Sequence, residues 1–88
     1  MGFFLRADKD GWVSEVNRAT KEPLGRYTTR HGNRLRVGED GYVNEVSGGT
    51  LLGRHITRHG TRLRVDREGY VNETNSATGE LLGLFTEE

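Results

Sequence analysis

An aromatic ring, a small polar side chain and a carboxylate recur in one order three times. The copies read Trp12-Val13-Ser14-Glu15, Tyr42-Val43-Asn44-Glu45 and Tyr70-Val71-Asn72-Glu73. An amphipathic ring with hydrogen-bonding groups beside it can stack on a sugar and grip its hydroxyls. Trp12, Tyr42, Tyr70, Asn44, Asn72, Glu45 and Glu73 are therefore a candidate set for binding a saccharide or a protein surface. Three copies on one chain add multivalency. A plainer reading makes the ring a core residue at a strand end and pairs each glutamate with an arginine across the sheet. The motif is short, and cross-strand pairing accounts for it without a ligand.

A second set is cationic. Arg34, Arg36, Arg62 and Arg64 alternate with apolar residues and form a comb. Beside Tyr27 and His55 such a comb could hold the phosphates and bases of a nucleic-acid strand. Polyanion affinity is mainly electrostatic, and here 13 basic residues are balanced by 13 acidic ones, for zero net charge. Nucleic acid is thus the alternative partner rather than the leading one. His31 and His59 occupy matching turns, and His55 lies four residues before His59. A metal site needs three or four converging ligands, and neither Cys nor carboxylate stands beside these histidines, so no metal is expected. Asp8-Lys9-Asp10-Gly11 opens like a calcium loop but lacks the later oxygen ligands, and its counterparts elsewhere in the chain read as turns. No nucleophile–base pair, phosphate loop or isolated carboxylate dyad is present, so no catalytic residue, no cofactor and no enzymatic activity are expected. Were one copy catalytic, the differences at Trp12, His55 and Phe85 would be the place to look.

These residues must be positioned by a repeated unit. Gly11, Gly41 and Gly69 mark copies spaced 30 (41 − 11) and 28 (69 − 41) residues apart. Leu24-Gly25-Arg26 returns as Leu52-Gly53-Arg54 and Leu82-Gly83-Leu84, and Arg30–Val37 returns as Arg58–Val65. A fixed period in this range signals a supersecondary unit that cannot bury its apolar face alone. Apolar residues alternate with period two, and glycine recurs too often for helices. Each copy reads as three strands: A at Tyr42–Val46, B at Leu52–Arg58 and C at Thr61–Val65, with equivalents in the other copies.

The predicted fold is all-β, an internally triplicated antiparallel meander of about nine short strands within one domain. The repeats run over 8–37, 38–65 and 66–88, with 3–7 completing the third. Phe3–Ala7 is expected beside Leu82–Thr86, closing the chain in a pseudo-three-fold or barrel-like arrangement. Hydrophobic residues make up only 32% of the chain, so stability must come from a well-patterned sheet, from homo-oligomerisation, or from both. No run is long enough to span a membrane. The absence of cysteine and of a signal-like segment fits a cytoplasmic setting.

Register follows from loop length. A two-residue B–C loop at His31-Gly32 and a four-residue C–A loop at Gly38–Gly41 put Leu5, Leu35, Val37, Tyr42, Val46, Ile56, Leu63, Val65 and Tyr70 on the core face, with Trp12 and Val16. The same register places Arg34, Arg36, Glu45, Arg62, Arg64 and Glu73 towards water, together with Tyr27, His55 and Phe85.

Overall fold

The computed structural model describes residues 2–87. It is all-β, and its strands group into three similar three-stranded antiparallel sheets that do not close into a barrel. The first sheet contains β1 (Phe3–Ala7), β2 (Val13–Asn17) and β3 (Pro23–Arg26). The second contains β4 (Arg34–Val37), β5 (Val43–Ser47) and β6 (Thr50–Arg54), and the third β7 (Arg62–Val65), β8 (Val71–Thr74) and β9 (Leu81–Leu84). A two-residue strand, β10 (Thr86–Glu87), lies on the free side of β1. Among the described residues no helix is long and apolar enough to cross a membrane.

Each sheet runs in the order C, A, B. β1 pairs with β2 over five residues, and its other edge pairs Phe3 with Glu87 and Phe4 with Thr86. The strand predicted to complete a third unit is therefore an interior strand of the first sheet. Strand B is shorter than predicted: β6 ends at Arg54, and the chain then crosses to the next sheet, where Ile56 bridges Arg62. Thr28 bridges Arg34 in the same way.

The register differs from prediction by one residue at both kinds of turn, for one physical reason. Gly41 N–H donates to Gly38 O, and Gly38 N–H donates to Tyr42 O, so three residues rather than four separate the last pair. Thr29–Asn33 repeats this geometry, with three loop residues where two were predicted. The third loop residue is glycine at positive φ, +87° for Gly41 and +85° for Gly32, which places a bulge after the turn. Asp8 Oδ1 accepts from the backbone N–H of Asp10 and Trp12, and Thr29 Oγ1 from those of His31 and Asn33, fixing both turn types from their first residue.

A one-residue slip turns a strand over, so the faces of strands A and B exchange while C keeps its own. Leu5, Leu35 and Leu63 are buried as predicted. Beside them lie Val13, Val43 and Val71 instead of Trp12, Tyr42 and Tyr70, which are only half-buried. Tyr27 and Phe85, assigned to the water face, are core residues, and His55 is half-buried. Ile56, assigned to the core, is 49% exposed. Val37 and Val65 pack against the core from its edge, and Val16 and Val46 are buried outside that cluster.

Sheet meets sheet through a repeated junction. Val37 N–H donates to Gly11 O at 2.8 Å, Val65 N–H to Gly41 O at 2.9 Å, and Ala7 N–H to Gly69 O at 2.8 Å. Antiparallel bridges accompany them at Trp12–Arg36, Tyr42–Arg64 and Arg6–Tyr70.

The A–B loops of the first and third sheets share one geometry as well. Asn17 Oδ1 accepts from Ala19 and Thr20 N–H, and Asn75 Oδ1 from Ala77 and Thr78 N–H. The left-handed position is Gly79 in one loop and Lys21, at φ +65°, in the other. That conformation costs a side-chain-bearing residue about 1–2 kcal/mol, and glycine gives back roughly 0.5–1 kcal/mol in chain entropy. Lys21→Gly is expected to raise stability by about 0.5–1 kcal/mol on balance, read from the urea midpoint. An unchanged or lower midpoint would show that Lys21 is held there without strain.

Candidate binding depression

The segments that follow β3, β6 and β9 converge on one face of the molecule around an open depression of about 480 Å³. Tyr27, His55 and Phe85 hold equivalent positions in the three copies and line it together. Each is fixed by the same bond: their N–H groups donate to Val13 O, Val43 O and Val71 O at 2.9–3.0 Å. Thr28, Ile56 and Thr86 follow them, and two corners carry the turns of Arg30-His31 and Arg58-His59.

Glu45 reaches this depression from β5 because its strand is turned over. Asn33 Nδ2 donates to its Oε2 at 2.9 Å, and His55 Nδ1 lies 3.1 Å from its Oε1. The Asn33 hydrogen bond and then the His55 contact hold its carboxyl below the ordinary glutamate range, against a desolvation that pushes it up. Glu73, its counterpart on β8, accepts from Thr61 Oγ1 at 2.7 Å and lies 3.7 Å from His59 Nδ1. Thr61 is in turn bonded to Thr57 Oγ1 at 2.7 Å.

A carboxyl whose pKa is lower folded than unfolded stabilises fully above its unfolded value, and that stability is lost as pH falls through the folded value. Acid titration of the melting temperature is therefore expected to show a loss beginning below about pH 4–5 and continuing downwards. Glu45→Gln should flatten that limb. An identical limb in the variant would mean that Glu45 is not coupled to folding.

The predicted saccharide set is divided. Trp12, Tyr42 and Tyr70 sit at the sheet junctions under guanidinium groups. Arg26 and Arg36 lie 5.1 and 5.5 Å from the Trp12 centroid, Arg54 and Arg64 lie 4.3 and 5.6 Å from Tyr42, and Arg6 lies 5.3 Å from Tyr70. The Arg36, Arg64 and Arg6 contacts are cation–π contacts from one sheet to the next, and those of Arg26 and Arg54 lie within a sheet. All of them occupy rings that a sugar would need bare. Asn72 is buried and ties its own turn together, its Nδ2 donating to Asp66 Oδ2 and Tyr70 O. Asn44 is half-buried beside the equivalent turn, where its Nδ2 lies 3.0 Å from where a Cβ on Gly38 would stand. Only Glu45 of this set lines the depression.

The nucleic-acid set is divided too. Arg34, Arg36, Arg62 and Arg64 flank the buried Leu35 and Leu63 on the side of the strand away from them. Arg34, Arg36 and Arg64 are exposed, whereas Arg62, predicted to face water, is half-buried with its Nε buried. Arg36 and Arg64 are engaged by Trp12 and Tyr42, and Tyr27 and His55 lie on the opposite side in the depression. At the second junction Arg54 also pairs with Asp40. The Tyr42 N–H first and then Arg54 hold the Asp40 carboxyl below its ordinary range. No group of three or more His, Cys, Asp or Glu side chains that could hold a metal ion occurs among the described residues.

The sequence contained a signal for the depression. Positions 27, 55 and 85 carry a ring in every copy and always follow Leu-Gly-x, so the same place is built three times with different chemistry. No protein-family model, curated protein or solved structure matches the chain.

Proposed function

We propose that this chain is a non-enzymatic binding module, a ring of three similar units whose ligand, a saccharide or a protein segment, enters the depression where the three sheet-to-sheet segments meet. The observation that carries the reading is the convergence of Tyr27, His55 and Phe85, homologous positions from three copies, on a single depression. Its volume of about 480 Å³ falls among ligand sites, which run to roughly 300–1,000 Å³. The ring is supported by the inter-sheet junction, whose third instance, between Ala7 and Gly69, joins the last sheet to the first. The Phe4–Thr86 pair supports it too, being the counterpart of Thr28–Arg34 and Ile56–Arg62.

A glycan array followed by amide-shift mapping on the full chain tests the reading. A ligand that moves the resonances of residues 27–31, 55–59 and 85–86 supports it. A ligand that moves instead the Arg34, Arg36, Arg62 and Arg64 strands, with affinity falling steeply with salt, replaces it with single-stranded nucleic-acid binding.

Assembly is a second reading, favoured by one observation. β3, β6 and β9 are sheet edges, and Leu24, Leu51, Leu52, Leu81, Leu82 and Leu84 on them are 41–65% exposed. Open apolar edges are templates for strand pairing between chains. Light scattering that gives a dimer or trimer, reduced to a monomer by Leu82→Lys, supports assembly. A monomer at high concentration rejects it.

A further inference from the structure

We infer that the depression takes a saccharide bearing an oxyanion, a carboxylate or a sulfate, and that Arg30 and Arg58 hold that group. The inference rests on the binding reading above and adds the charge of the ligand. Arg30 and Arg58 are exposed at matching corners of the depression, and neither has an ion-pair or hydrogen-bond partner among the described residues.

Glu45, the carboxylate in the lining, and Glu73, its counterpart, are already engaged: Glu45 by Asn33 and His55, Glu73 by Thr61 and His59. Among the described residues, Arg30 and Arg58 are therefore the guanidiniums of the lining that no acid pairs with. The third copy carries Glu88 where the others carry Arg30 and Arg58, and that residue lies outside the described ones.

A guanidinium presents a planar fork of donors that matches carboxylate and sulfate oxygens two at a time. Between the corners, the Thr28 and Thr86 hydroxyls and the remaining lone pairs of Glu45 can bond sugar hydroxyls. Ile56, 49% exposed, offers apolar surface to a C–H face, with the buried Phe85 behind the lining. Hydroxyl partners, apolar floor and paired cations together describe an acidic sugar better than a neutral one or a bare ion.

The test is amide-shift titration of the full chain with four probes: glucuronate, a sulfated disaccharide, glucose and inorganic sulfate. The expected result is saturable shifts at residues 28, 56 and 86 with at least one acidic sugar, about tenfold tighter than with glucose, and weaker binding of sulfate. The tighter acidic sugar identifies carboxylate or sulfate as the recognised group. Arg30→Gln with Arg58→Gln should lower that affinity about tenfold at an unchanged melting temperature. The single variants should each lower it less.

Glucose binding as tightly as the acids overturns the inference while leaving the binding reading intact. Inorganic sulfate binding as tightly as the sugars overturns the saccharide assignment, and unchanged affinity in the double variant overturns the role of the arginines. No shift with any probe overturns the inference. The binding reading falls only if the wider array is also blank at these resonances.

Discussion

Leu35→Ala is expected to cost about 2–5 kcal/mol of folding stability, the range for emptying a fully buried leucine site. Leu35 has no exposed surface and stands with Leu5 and Leu63, its equivalents, in one cluster with Val13, Val43 and Val71. A chain of 88 residues has a total stability of roughly 4–13 kcal/mol, so the variant should be largely unfolded or close to it. Ile56→Ala supplies the contrast. With 49% of its surface exposed, Ile56 should lose less than about 1 kcal/mol. Urea denaturation of the two variants therefore reads the face assignment directly. Equal losses, or a larger loss at Ile56, would return the sheet to the register with Ile56 inside.

Removing residues 1–7 should abolish the cooperative thermal transition altogether. β1 is an interior strand, paired with β2 along its length and with β10 on its other side. It brings Leu5 into the core, sets Phe3 against the Tyr27 ring at 6.1 Å, and supplies the Ala7–Gly69 hydrogen bond between sheets. Loss of Leu5 alone would cost about 2–5 kcal/mol. The truncated chain also exposes two strand edges at once, so it should aggregate or oligomerise. Far-ultraviolet circular dichroism on heating, with light scattering, checks both effects. A truncated chain that melts like the parent and stays monomeric would mean that the N-terminal strand is dispensable and that the units do not depend on one another.

The strands were legible because alternation is a local property: Leu35 between Arg34 and Arg36, or Val43 beside Asn44, reads as β whatever the partner. Which residue faced the core was harder to read. That depended on whether a glycine ended a loop of two, three or four residues, and Gly32 and Gly41 both end a loop of three. The clue was the residue opening each turn. Asp8, Asp66, Thr29 and Thr57 all stand three places before the glycine, where a short oxygen-bearing side chain can accept two backbone N–H bonds. Tyr42 and Ile56 were misplaced for this reason alone. The depression was illegible for another reason. Tyr27, His55 and Phe85 meet only through contacts across sheet boundaries, and period-two patterning says nothing about how one sheet turns into the next.

Phe3 and Glu87 are neighbours across a strand pair, about 5 Å apart. A short link between these two residues therefore leaves the strand pairs of all three sheets in place. A gene opened in the exposed Gly48-Gly49 hairpin, with the old ends spliced through a few flexible residues, encodes a permutant that can form the same strand pairs except at the nicked hairpin, with its new ends at a tip where a binding tag or a second module could be attached.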